Sequence, residues 1–298
     1  MAQSSFILVL NQESNDMYII NAKSLKLQKI VKVGKEPHEL WISPDGKKTY
    51  VVNSGENSIF VINNRKFEVE KKIFSEDLSF PHGIYSHGKK ILVTSAGKEK
   101  IIVLDGEKDK IIGSISTDQK EPHLVVISPD EKKAYISNIA SNTVSVIDLD
   151  RLAISKNIKT RVGPEGIAIS PDGKEVYVTC QMDRIVEVIS TERDEIITSI
   201  PVDGYLPIRI AFSPDGKRAY ICNMLSDTLT VLSTENQSIL KNIKVGRNPR
   251  GIAVSSDGKR IFVANDTSNS ISVIDGEKLE KIADIPVGFC PDGIGYLK

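Results

Sequence analysis

The chain carries few of the residues that mark specialised protein classes. Its 298 residues include three cysteines, one tryptophan and four histidines. Cys180, Cys222 and Cys290 stand in no C-x-x-C or C-x-x-C-H context, which excludes a zinc ribbon, an attached c-type haem and a disulfide framework. Apolar-flanked thiols of this kind read as small core hydrophobes. No apolar run approaches the roughly 20 residues that a transmembrane helix needs, so no membrane span is expected. A charge surplus is missing as well, because 39 basic residues balance 39 acidic ones. Nucleic-acid binding needs lysine and arginine in excess on one face, and aromatic residues, at 6%, supply no surplus of stacking platforms. No nucleic-acid partner is expected. The opening Met1-Ala2-Gln3-Ser4-Ser5 lacks a basic n-region and an apolar h-region. The chain therefore reads as cytoplasmic as it stands, or as an exported protein with its signal peptide removed. Helical periodicity is absent, as are P-loop, G-x-G-x-x-G, G-x-S-x-G and EF-hand spacings.

What is present is a repeat. The segment PHELWISPDGKKTYVVN from Pro37 returns in altered form from Pro81, Pro122, Pro164, Pro207 and Pro249, and begins again at Pro291. Successive prolines are 44, 41, 42, 43, 42 and 42 residues apart, the period of a four-stranded propeller blade. Each unit splits into four short alternating apolar runs separated by turn residues, the pattern of antiparallel strands A to D. In the unit from Pro249 these are residues 251–255, 260–265, 270–275 and 279–287. The ends of the chain complement each other. Residues 6–33 supply B, C and D runs without an A run, and residues 293–297 supply an A run alone. The sequence thus predicts an all-β, single-domain, seven-bladed β-propeller over residues 1–298, with one blade shared by 6–33 and 292–298. Such closure removes the exposed sheet edges that template aggregation, and a monomer is expected.

Tyr50-Val51-Val52-Asn53, Tyr135-Ile136-Ser137-Asn138, Tyr220-Ile221-Cys222-Asn223 and Phe262-Val263-Ala264-Asn265 each follow an SPDG-like turn. With the Val-Ile-Asp runs ending at Asp148 and Asp275, they resemble the YVTN repeats of seven-bladed propellers. That resemblance implies the fold. Function stays open, since propellers of this group resemble surface-layer proteins, DNA-associated proteins and enzyme subunits alike. Trp41 stands where other units carry Ala168, Ala211 and Ala253, and is expected to pack between blade 1, which begins at Pro37, and blade 2 or 7.

Strand A of a propeller lines the central channel, so the residue after each repeat proline begins it at the channel mouth. In blade order that column reads His38, His82, His123, Glu165, Ile208, Arg250 and Asp292. Three of the four histidines fall in it. Because blade 7 abuts blade 1, Asp292, His38, His82 and His123 form an arc that ends at Glu165. Neutral imidazoles flanked by carboxylates are the donor set of a divalent transition metal, so His38, His82, His123 and Asp292 are the expected ligands. Inheritance by duplication, with the rings merely capping strand ends, accounts for the same column. Glu165 or Glu39 would act as general base if burial raised its pKa, although Glu39 also reads as a solvated rim charge. Arg209 and Arg250 on the opposite rim suit a small anionic substrate. The plan resembles metal-dependent propeller lyases and lactonases, and the Pro-His-Gly-Ile at 81–84 is similar to repeats of the streptogramin lyase group. A metal-dependent lyase or hydrolase is one reading. The other is a non-catalytic platform that presents its loops to a protein, a polysaccharide or a cell surface.

A second column closes strand B: Asn11, Asn53, Ser95, Asn138, Cys180, Asn223 and Asn265. These read as side chains that bond nearby backbone in turns, with Cys180 a thiol that could approach the arc. His87, in the shortened turn Ser86-His87-Gly88, reads as solvated and without a role.

Overall fold

The computed structural model describes residues 5–298 and contains seven four-stranded antiparallel sheets. The signal-sequence reading of residues 1–4 lies outside them. The innermost strands A are Pro37–Ile42, Pro81–His87, Pro122–Ile127, Pro164–Ile169, Pro207–Phe212, Pro249–Val254 and Pro291–Leu297, in blades 1 to 7. Each begins at its proline, one or two residues earlier than the apolar pattern indicates, because proline needs no ladder donor at a strand's first position. Blade 7 is closed as expected. Pro291–Leu297 pairs with Phe6–Asn11, followed by Asp16–Asn21 and Leu27–Lys32. Helix among the described residues is confined to two 3-10 turns, Ser54–Glu56 and Ala96–Lys98. No helix among them is long and apolar enough to cross a membrane.

Strands B and C are buried on both faces, since each sheet stacks on its neighbours, and the apolar clusters therefore lie between blades. Tyrosines of strand B extend across these seams. Tyr135 donates to Asp194 Oδ1 of the next blade at 2.7 Å, and Lys133 Nζ reaches Asp194 Oδ2 at 2.7 Å. Tyr50 and Lys48 make the corresponding pair of bonds to Asp109.

One backbone contact recurs in every blade. The carbonyl before each repeat proline, at Glu36, Phe80, Glu121, Gly163, Leu206, Asn248 and Cys290, accepts the backbone N–H just past strand B at 2.9–3.3 Å. To do so, all seven residues adopt positive φ, from 44° at Phe80 to 72° at Gly163. Six of them are not glycine, at a cost of about 1 kcal/mol each, and the bond locks the D–A loop onto the B–C loop. The strand-B asparagines complete the lock. Asn53 Oδ1 accepts the N–H of Gly34, and Asn265 Oδ1 that of Gly246, both at 3.1 Å. A Cβ on Gly34 or Gly246 would fall 2.5–2.7 Å from these asparagines, so only glycine permits the approach.

If the clasp carries ring closure, deleting residues 291–298 opens blade 7 and exposes the edge of strand Phe6–Asn11. The expected result is a lower melting temperature and self-association on size-exclusion chromatography. A monomer with an unchanged melting point would show that the clasp is dispensable.

Candidate functional site

The locked loops surround a cavity of about 660 Å³ at the channel mouth, and the arc forms one side of it. His38 Nδ1 lies 2.9 Å from Asp292 Oδ2. The His38 and His82 rings are 3.9 Å apart between centroids, the His82 and His123 rings 3.7 Å. His123 Nε2 is 3.7 Å from Glu165 Oε1. The column thus converges, and glycines explain how closely. The second residue after the proline is glycine at 83, 166, 251 and 293, and a Cβ there would come within 2.1–2.5 Å of the adjacent blade's backbone carbonyl.

The rings converge at an angle to one another. The imidazole planes are tilted by 44° and 32° to one another, whereas nitrogen donors must point at one centre about 2.0–2.1 Å away to share an ion. Among the described residues no group of three or more His, Cys, Asp or Glu side chains has the arrangement of a metal site. The set His38, His82, His123 and Asp292 is therefore assembled in space without fitting a metal as it stands. Burial, followed by the fields of His123, His38, Arg209 and Arg250, holds the His82 pKa well below its ordinary value. Buried His82 Nδ1, His123 Nε2 and Asp292 Oδ1 have no hydrogen-bond partner.

Arg209 and Glu39 lie deeper than the rim. Arg209 bonds the Glu39 carboxylate across the channel, and its other terminal nitrogen lies 3.4 Å from Glu165 Oε1. Their side chains are only 11% and 17% exposed, so Glu39 is no solvated rim charge. This crossbar separates the mouth from an apolar lower chamber of about 330 Å³ that Trp41, Tyr85 and Phe212 help to line. Trp41 sits against Tyr85 of blade 2, with ring centroids 4.1 Å apart. Burial raises the Glu39 pKa against the pull of Arg209. Burial also opposes the Arg209 charge, but Glu39, Asp292 and Glu165 outweigh it and keep the guanidinium firmly protonated. Asp292 is desolvated too, yet His38, Arg209 and Arg250 hold it well below the usual carboxylate range.

Arg250 remains 29% exposed, with Nε 3.2 Å from Asp266 Oδ2 and a terminal nitrogen 3.9 Å from Asp292 Oδ2. Neither arginine is free for bidentate capture of an anion. Glu36, Glu121, Glu165 and Asp292 line the mouth against these two guanidiniums, which reverses the charge balance that the arginine pair alone suggests. Gln12, whose Nε2 donates to Asp292 Oδ2 at 2.9 Å, and Asp266 were not legible as site residues. Each lies just past a strand-B asparagine, and that offset is the one signal that could have found them. Cys180 does not join the site: it is fully buried, contacts Glu187 Oε2 at 3.5 Å, and burial pushes its thiol pKa up.

The sequence profile of the family described as "Lactonase, 7-bladed beta-propeller" matches residues 23–281, and the chain belongs to that family. No curated protein matches it. In fold the chain is similar to a candidate 6-phosphogluconolactonase from Bacteroides fragilis NCTC 9343. That protein is 19% identical with a TM-score of 0.83, over 100% of this chain and 99% of the other. It is also similar to a functionally unknown protein from Desulfotomaculum acetoxidans DSM 771, at 15% identity and TM-score 0.83 over 97% and 99%. Kuenenia stuttgartiensis hydrazine synthase matches at 20% identity and TM-score 0.79 over 87% and 89%.

The histidine arc makes two outcomes measurable. Titrating metal-free protein with zinc, copper, nickel or manganese is expected to give no stoichiometric heat that His82→Ala abolishes; such a heat would show that the rings turn to share an ion. The depressed His82 pKa means that the unfolded chain binds a proton the folded chain refuses. Stability is therefore expected to fall as pH drops below about 6.5, by at most about 1.4 kcal/mol per pH unit for this one group. The His82→Gln variant should lose that component. Identical wild-type and variant melting curves from pH 7 to about 5 would contradict the assignment.

Proposed function

We propose that the channel mouth hydrolyses a small, uncharged, hydroxylated lactone. The observation that carries this reading is the pairing of two groups able to take a proton, His123 and Glu165, 3.7 Å apart on the wall of the mouth cavity. The cavity they line has room for a small substrate and a water. That water is the nucleophile. As its oxygen bonds to the lactone carbonyl carbon, His123 or Glu165 takes its proton. The carbon–oxygen bond of the ring then breaks, and the departing ring oxygen receives a proton from the same base. Arg209 keeps Glu165 in place, and Arg250, partly exposed on the same cavity, would supply a donor for the developing oxyanion.

Charge selects the substrate. Four carboxylates around two paired guanidiniums oppose an added phosphate or carboxylate at the mouth. A second reading, a non-catalytic platform, is favoured by one observation: Phe80, Val162, Met182, Tyr205, Leu225 and Phe289, on the loops that flank the mouth, are exposed. Such residues suit a protein partner.

The test is hydrolysis of glucono-δ-lactone and of its 6-phosphate by purified protein, followed by proton release. Turnover is expected to favour the uncharged lactone. His123→Ala and Glu165→Gln should each lower kcat about 100-fold or more, with melting temperatures kept. Preference for the phosphate would overturn the charge argument. No turnover of either lactone would leave the platform reading.

A further inference from the structure

Three positions in each blade lie on the locked loops at the mouth end of the channel: the residue before the repeat proline, the residue after it and the residue just past strand B. In six blades at least one of the three is ionisable. Blade 5 places Leu206, Ile208 and Met224 there, and no polar side chain. Ile208 and Met224 line the mouth cavity, and in the column Ile208 stands between Glu165 of blade 4 and Arg250 of blade 6. Leu206 and Met224 pack on the apolar cluster that holds Ile208, and the Met224 N–H donates to the Leu206 carbonyl at 2.9 Å. The cavity thus has one wall without a charged or hydrogen-bonding side chain, set between the base and the oxyanion donor.

The wall continues outward. One residue further along each loop, the Leu225 N–H donates to the Tyr205 carbonyl at 3.2 Å, and both side chains are exposed. Blade 4 repeats the pair with Val162 and Met182, joined at 3.4 Å and likewise exposed. The equivalent pairs of blades 1 and 6 are Lys35 with Gly55 and Arg247 with Thr267. Arg184 of blade 4 lies over the Tyr205 ring, its guanidinium carbon 4.7 Å from the centroid, and holds the ring at the boundary of the two blades.

A hydroxyl set against this wall would give up its water with nothing to bond in exchange. A folded partner resting on the exposed crest would leave Ile208 and Met224 beneath it uncovered, whereas a chain carried by the substrate runs along both. Resting on the lactone reading of the mouth, we propose that blade 5 is the subsite for an alkyl chain, so that the substrate is an uncharged lactone bearing an aliphatic substituent. The chain lies along Ile208 and Met224 and emerges over Leu225 and Tyr205, with the lactone carbonyl turned toward Glu165 and Arg250.

The test compares the 6-O-methyl, 6-O-butyl and 6-O-hexyl ethers of glucono-δ-lactone, which carry the chain where the 6-phosphate carries its charge. Each buried methylene should raise kcat/KM about fourfold, so the hexyl-to-methyl ratio is expected to exceed about tenfold. Leu225→Ser and Met224→Gln should each cut that ratio at least about threefold. Leu225 is exposed, so its exchange stands if Met224→Gln fails to fold. Phe74→Ser, equally exposed but on the outer strand of blade 1, should leave the ratio as it is. Binding of the corresponding δ-lactams, which resist hydrolysis, is measured by calorimetry on the same proteins. Hydrolysis with a ratio near one, or a ratio that survives both wall substitutions, would overturn the subsite and leave the lactone reading standing. Lactam affinity that rises with chain length and falls in Leu225→Ser, without turnover of any lactone, would uphold the subsite and overturn hydrolysis. Neither turnover nor chain-dependent binding would overturn both.

Discussion

The backbone bond from the residue after strand B to the carbonyl before each repeat proline is the contact on which the site depends. It is made seven times, and in blade 7 it joins Gln12 to Cys290, tying the two ends of the chain together. Each bond holds its carbonyl residue at positive φ, and the cost is offset by pairing a backbone donor with a backbone acceptor. With both loops fixed, the side chain after every proline has one place to go. His38, His82, His123, Glu165, Arg250 and Asp292 all line the same cavity for that reason.

Within that frame the electrostatics follow from burial. Burial, with the fields of His123 and His38, holds the pKa of the central His82 well below its ordinary value. The carboxylates at the two ends of the arc, Asp292 and Glu165, are each drawn to a guanidinium as well as to a histidine. Arg209 is shared between blades 1 and 4 through Glu39 and Glu165, so removing it would strand buried carboxylates on both sides of the channel. The crossbar is structural support and charge control in one group.

The period of the prolines and the unmatched runs at the two ends made the ring, its blade count and the clasp legible from residues alone. The mouth column was legible because it rests on strand register, which a repeat specifies. Ring orientation was not, because whether imidazoles meet edge to edge or face to face depends on rotamers that spacing does not encode. Arg209 and Glu39 read as rim residues because they sit one position past the column, where four blades have glycine and show no side chain. They point into the channel and not out of it. His87 read as a solvated turn residue, and the cavity it lines exists only between blades 1 and 2 and in neither alone.

A crystal structure at a resolution that places waters tests the central claim most directly, because the claim concerns a water held in the mouth beside His123 and Glu165. The account predicts an ordered water in the mouth cavity within hydrogen-bond reach of the Glu165 carboxylate, beside His123. An ion held in common by His38, His82 and His123, or direct closure of His123 onto Glu165 with no room for water, would contradict it.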